Sequence, residues 1–298
     1  MKHSISFDIE EHFQVAAFDC SARRRHWDVL QSRVEKSTET ILTLLDSVNV
    51  KATMFILGWV AERHGDMVKQ IANAGHEIAC HGYSHELISV QSPPKFRDDV
   101  RRAKGILEDL TGQPVLGYRA PTFSITKETI WALPILVEEG FLYDSSIVPA
   151  VHDSYGIPDA NPVIHSLDTS AGVIWEVPPS TCDVGWMRIP VGGGGYFRLF
   201  PYSVLRWLLK KVERNGQPLV MYLHPWEVDP DQPRMKGSML SRFRHYNNLH
   251  KTQARLSQLL HDFPFVPIRE LLPHLDVNMT EGMQAVADTS AGLEHISS

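Results

Sequence analysis

Apolar residues recur along this chain in two alternating rhythms. Runs of strand length, Ser4–Asp8, Ala52–Leu57, His76–Cys80, Val115–Tyr118 and Phe141–Tyr143, are separated by stretches with apolar positions at helical spacing. Ile41, Leu42, Leu45 and Val48 form one such stripe, and Ser37 or Thr38 offers its N-cap. Met67–Ala74 reads as a helix stopped at Gly75, and Lys95–Leu110 as one ending before Gly112. Thr126 is expected to cap a helix running to Glu139, with Pro134 kinking it and Gly140 ending it. Further on, Val204–Glu213 and Thr252–His261 read as helices and Leu219–Leu223 as a strand. Strands that alternate with helices predict parallel β-α-β units, and so an α/β fold.

Two stretches depart from this rhythm. Pro149–Pro201 is rich in Pro, Gly and Ser, with strand-like pieces at Val173–Val177 and Met187–Pro190. Glu11–Arg33 is irregular, and its basic cluster Arg23–Arg25 with His26 reads as a solvated loop. Beyond about Asp276 the residues are small and polar, so the expectation is one domain over 1–275 and a frayed tail over 276–298. The 298 residues, 43% hydrophobic and 21% charged, have ordinary globular composition. A net charge of −6 speaks against a nucleic-acid partner. Three scattered cysteines, Cys20, Cys80 and Cys182, suit a reducing compartment. The start shows no apolar signal core and no run long enough for a transmembrane segment, so a soluble, cytoplasmic protein is expected.

Acid, base and metal-ligand side chains gather just after the predicted strands, the edge where α/β folds build sites. Asp8 and Glu10 lie two residues apart, so on a strand they share one face; a solvated acidic turn is the plainer reading. His81 and His85 can converge on one metal, or their spacing can be chance. Arg119, in Gly117-Tyr118-Arg119-Ala120-Pro121, can hold a carboxylate in a charge-assisted bond or be structural. His224, in Leu223-His224-Pro225-Trp226-Glu227, is a candidate general acid or base. The Gly192–Gly195 run lacks a following Walker lysine, so a tight or flexible pocket wall fits it better than a nucleotide loop. The other histidines, His152 and His245 among them, read as ordinary surface or core residues.

Taken together, the His81–His85 pair, Arg119-Ala120-Pro121 and Leu223-His224 resemble the motifs of the polysaccharide deacetylases, carbohydrate esterase family four. The resemblance spans about residues 4–272. Asp8-Ile9-Glu10, Tyr118–Ser124, Tyr143–Ser146, Gly193–Arg198 and His224–Pro230 are closer still to the branch associated with exosortase and exopolysaccharide loci. The resemblance implies a distorted (β/α) barrel of about seven parallel strands and metal-dependent removal of acetyl from an N-acetylated sugar. It implies Asp8 as general base, His224 as general acid, Arg119 as the group fixing Asp8, and His81 and His85 as metal ligands. The family's paired aspartates are replaced here by Asp8-Ile9, so the remaining ligand is Glu10, favoured by strand parity, or Glu11. Zinc suits two imidazoles and a carboxylate, and cobalt or nickel fits the same donors. Tyr118, Pro121, Trp186, Tyr196 and Trp226 are candidates for sugar contact, with Trp175 beside Trp186 for the acceptor wall. Three rivals remain: a metal-free hydrolase of a ureide or cyclic amide, a silent sugar-binding module, and a phosphate-ester hydrolase.

Overall fold

Seven parallel strands lie side by side in one curled sheet that forms a half-barrel. The computed structural model describes residues 1–15, 18, 24–152 and 155–273. Within these, β1 (His3–Ile9) leads through a long loop to α1 (Val34–Ser47). There follow β2 (Thr53–Ile56), α2 (Gly58–Arg63), α3 (Gly65–Asn73), β3 (Glu77–Cys80), α4 (Pro93–Thr111), β4 (Gly117–Tyr118), α5 (Ala132–Glu138) and β5 (Tyr143–Asp144). The next part holds two hairpins, β6 (His165–Thr169) with β7 (Gly172–Glu176) and β8 (Thr181–Val184) with β9 (Met187–Pro190). The chain ends through α6 (Gly194–Leu199), α7 (Tyr202–Arg214), β10 (Val220–Leu223), α8 (Met239–Tyr246), α9 (Leu249–Asp262) and β11 (Phe265–Val266).

The order across the sheet is β10-β1-β2-β3-β4-β5-β7, each pair parallel, with β6 antiparallel at the end and β11 beside the start of β1. The α/β class and the strand number match the sequence expectation. Past β7 the chain returns to β10: Ser180 N donates to Val220 O at 3.0 Å, and Tyr222 N donates to Gly192 O at 2.8 Å. Glycine is required along this seam. A Cβ on Gly192 would lie 2.5 Å from Val220 O, and one on Gly194 2.0 Å from the Glu227 carboxylate. Gly192–Gly194 is therefore a tight wall, while Gly195 faces open space.

Every residue of β1 is buried, as expected of a parallel strand covered on both faces. Ile5, Phe7 and Ile9 belong to the apolar core, while Ser6, Asp8 and Glu10 alternate with them and face the barrel interior.

Several expectations shift. Helix α1 starts at Val34, not Ser37 or Thr38, because the buried Glu11 carboxylate caps it from outside. It accepts from Arg33 N at 3.0 Å, from Val34 N at 3.3 Å and from the Ser32 hydroxyl. The cap comes from the end of β1, so local sequence around Ser37 holds no sign of it. Thr126 caps nothing: Thr129 accepts from its N–H, and α5 begins only at Ala132. Pro134 then sits in the first helical turn, where its missing N–H costs nothing. Arg24 is not a solvated cation, since its Nη2 donates to His85 O at 3.0 Å. Arg23, Cys20 and the expected tail lie outside the described residues.

Glu11→Ala removes the acceptors that hold the first N–H groups of α1. A loss of about 1–3 kcal/mol is expected, read from denaturant midpoints; an unchanged midpoint would refute the capping role.

Candidate active site

Burial of Arg119 organises the strand ends. Its guanidinium, 0% exposed, donates through Nη1 to Asp8 Oδ1 at 2.6 Å and to Ser6 Oγ at 2.9 Å, and through Nη2 to Ser145 Oγ at 2.8 Å. One oxygen of Asp8 is thereby fixed. The other, Oδ2, lies 3.8 Å from His224 Nε2. The Arg119 carbonyl accepts from His81 Nδ1 at 2.8 Å. Since a carbonyl only accepts, Nδ1 carries the proton and Nε2 keeps its lone pair.

That lone pair points to Glu10. Glu10 Oε2 lies 2.7 Å from His85 Nε2 and 3.8 Å from His81 Nε2, and the three donor atoms lie within 4.8 Å of one another. Burial would raise the Glu10 carboxyl, but the charges and hydrogen bond of the histidines bring it down to about 2. Burial pushes His81 down to about 4, so it is neutral at pH 7. An ionised carboxylate and a neutral imidazole with its lone pair turned inward are in ligand form. The residues present therefore fit a metal ion, and Glu10 rather than Glu11 faces this point.

His224 is aimed by a second chain of bonds. Its Nδ1 lies 2.8 Å from Glu227 Oε1, and Glu227 Oε2 accepts from Arg198 Nε at 2.6 Å. Arg198 in turn donates to the carbonyls of Arg244, His245 and Asn247. Burial would lower the imidazole, but the Glu227 hydrogen bond and the charges of Glu10, Glu227 and Asp8 lift it to about 9.

These groups open into a cavity of about 420 Å³ that also meets Thr122, Phe123, His152, Tyr155, Tyr222 and Trp226. Of the proposed sugar contacts, Trp226 alone lines it; its Nε1 donates to Glu10 Oε1 at 3.2 Å. Tyr118 is buried edge-on against Phe96 and Phe141, and Pro121 is buried behind the wall. Tyr196 stacks on Phe200 away from the lining. Trp186, 92% exposed, borders a separate groove with Asn161 and Arg188, while Trp175 packs in the β5–β7 layer. The structure thus does not bring these last five to the cavity. His152 and His245, read as ordinary, do line it: His245 stacks on Trp226 at 4.1 Å. Glu227 and Arg198 lay in quoted motifs without a role. Phe123 likewise lay in a quoted motif without a role, and Tyr155 carried no signal.

Behind Arg119, Asp144 and Glu176 share a buried, hydrogen-bonded pocket. Burial and the neighbouring Asp144 charge push Glu176 well above the carboxylate range, and burial brings Asp144 up to about 6.

Residues 21–135 match the family described as polysaccharide deacetylase, and residues 145–273 match a domain of unknown function, DUF3473. A peptidoglycan deacetylase-like protein of Gibberella zeae is 38% identical over 109 residues, 36% of this chain and 31% of that protein. A peptidoglycan-N-acetylglucosamine deacetylase of Bacillus cereus is 38% identical over 96 residues, 32% of this chain and 35% of its own length. The match thus spans about a third of these curated relatives. A solved Mycobacterium smegmatis protein classed with the polysaccharide deacetylases shares the fold at TM-score 0.62 and 21% identity, covering 93% of this chain and 90% of that one.

Glu176→Gln mimics the protonated acid. The folded-state pKa of Glu176 lies above its ordinary 4.5, so the stability it permits is complete below that value and declines as pH rises. The variant should match the parent near pH 4 and gain stability toward pH 7. Denaturation midpoints at both values test this, and an equal effect at both would refute the upward shift at Glu176.

Proposed function

We propose, for a chain whose residues 21–135 match the polysaccharide deacetylase family, that this cavity hydrolyses the acetamido group of an N-acetylated amino sugar, releasing acetate and the free amine. The observation that carries the reading is the meeting of Asp8, His224 and the Glu10–His81–His85 cluster in one cavity. Glu10, His81 and His85 would hold one divalent cation; zinc suits the donors best, and cobalt or nickel also fits. Bound there, the ion would acidify a water and polarise the acetyl oxygen.

The chain's own residues supply the proton transfers. Asp8 Oδ2 takes the proton of the attacking water while Arg119 holds Oδ1 in place. His224 gives its Nε2 proton to the departing amine, which is a very poor leaving group until protonated. Glu227 accepts from Nδ1 and keeps Nε2 turned to the cavity. The N–H groups of Arg119 and Ala120 are spent on Cys80 O and Ser146 Oγ. Thr122, on the cavity wall in left-handed backbone, is then the main-chain donor for the acetyl oxygen as it gains charge. Phe123, Tyr155, Tyr222 and Trp226 give a sugar ring apolar faces. Exopolysaccharide assembly is the setting that the sequence resemblance implies, with residues 1–275 proposed as the catalytic domain.

A metal-free amide hydrolase would leave the buried convergence of Glu10, His81 and His85 without a purpose. A silent binding module would leave the Arg198–Glu227–His224 chain equally unused. The missing second cluster of ligands among the described residues counts against a two-metal phosphoesterase.

Metal content and acetate release, measured on one preparation over a panel of N-acetylhexosamine substrates, test the reading. His81→Ala should lose both metal and activity. His224→Ala should keep the metal and lose about 10²–10⁴-fold in turnover. Loss of metal from the His224 variant would make it a ligand; full activity would remove it as the acid.

A further inference from the structure

Helix α8 turns an apolar arc to solvent beside the cavity. Met239 is 88% exposed, Leu240 56% and Phe243 55%. Single exposed apolar residues are ordinary, but three clustered on an eight-residue helix are not. At 3.6 residues per turn these three share one side, Arg242 and Arg244 flank them, and Ser241 and His245 point the opposite way. Ser241, Arg244 and His245 line the cavity. The apolar arc therefore sits next to its mouth.

Along the chain, the charge on either side of this arc has one sign. Between Asp231 and Asp262 the chain carries Arg234, Lys236, Arg242, Arg244, Lys251 and Arg255 and no Asp or Glu, in a protein whose net charge is −6. Arg234, Lys236, Arg242 and Arg244 are exposed. An exposed apolar arc between cations is the pattern of a helix lying in a membrane interface. There the cations meet anionic headgroups while the arc enters the acyl boundary. No helix among the described residues is long and apolar enough to cross a membrane.

We propose that α8 and the segment leading into it dock on an anionic phospholipid surface and hold the cavity mouth against it. A second copy of the chain fits this face less well, because a two-fold contact would set the same cations against one another. If the cavity is a deacetylase site, an acetylated sugar carried on a lipid reaches it from the bilayer. That consequence rests on the functional reading above; the docking does not.

The test is co-sedimentation of the full chain with vesicles. The protein should pellet with roughly equimolar phosphatidylglycerol and phosphatidylcholine, should stay in solution with phosphatidylcholine alone, and should be released by salt. Combined Met239→Ser, Leu240→Ser and Phe243→Ser should weaken partition by about tenfold or more, and Arg242→Glu by about tenfold. These side chains are exposed, so thermal midpoints should not move. Failure to pellet with anionic vesicles, or equal pelleting of the variants, overturns the proposal. So does a parent dimer that the triple substitution dissociates, which would assign the arc to self-association. Acetate release from a soluble substrate is scored separately, so failure of the deacetylase reading leaves the vesicle result intact.

Discussion

A guanidinium shut away from solvent holds the strand ends of this protein in register. Arg119 ties β1 through Ser6 and Asp8 to the end of β5 through Ser145, and its carbonyl sets the His81 tautomer. A buried charge of this kind is costly unless every donor is satisfied, and removing one partner of such a pair typically costs about 3–5 kcal/mol. The Arg119 charge in turn favours the ionised forms of Asp144 and Glu176 behind it. Asp8, one imidazole of the histidine pair and the barrel interior therefore depend on one residue, through its side chain and its carbonyl.

From that anchor the electrostatics divide the cavity. Glu10 is kept ionised by the imidazoles, and His81 is kept neutral by burial, so the cluster is disposed to receive a cation. Across from it, His224 is surrounded by carboxylates that favour its protonated form. Two histidines in one cavity thus differ in charge state: burial outweighs the partners of His81, whereas the Glu227 hydrogen bond and the surrounding carboxylates outweigh burial at His224.

The cavity is also composite along the chain. Asp8 and Glu10 precede the segment matching polysaccharide deacetylases, while His81, His85 and Arg119 lie inside it. Tyr155, Arg198, Tyr222, His224, Trp226, Glu227 and His245 come from the segment matching the domain of unknown function. Neither matched segment contains the whole arrangement. The glycine wall at 192–194 and the Ser180–Val220 seam bring the second segment onto β1.

The sequence by itself determined the α/β alternation, the strand-end positions of Asp8, Glu10, His81, His85, Arg119 and His224, and the Glu10 parity. All of these follow from short-range periodicity, and the parallel sheet then gathers strand ends onto one edge. Tertiary structure alone decided what depends on contacts between residues distant in the chain. Glu11 caps α1 across 22 positions, Arg24 reaches back over the His85 loop, and Glu227 is fixed by Arg198. The sugar-facing aromatics were the least legible. Trp186 and Tyr196 stand in suggestive sequence, whereas Phe123 and Tyr155 reach the cavity through left-handed backbone and an irregular loop that no local periodicity encodes.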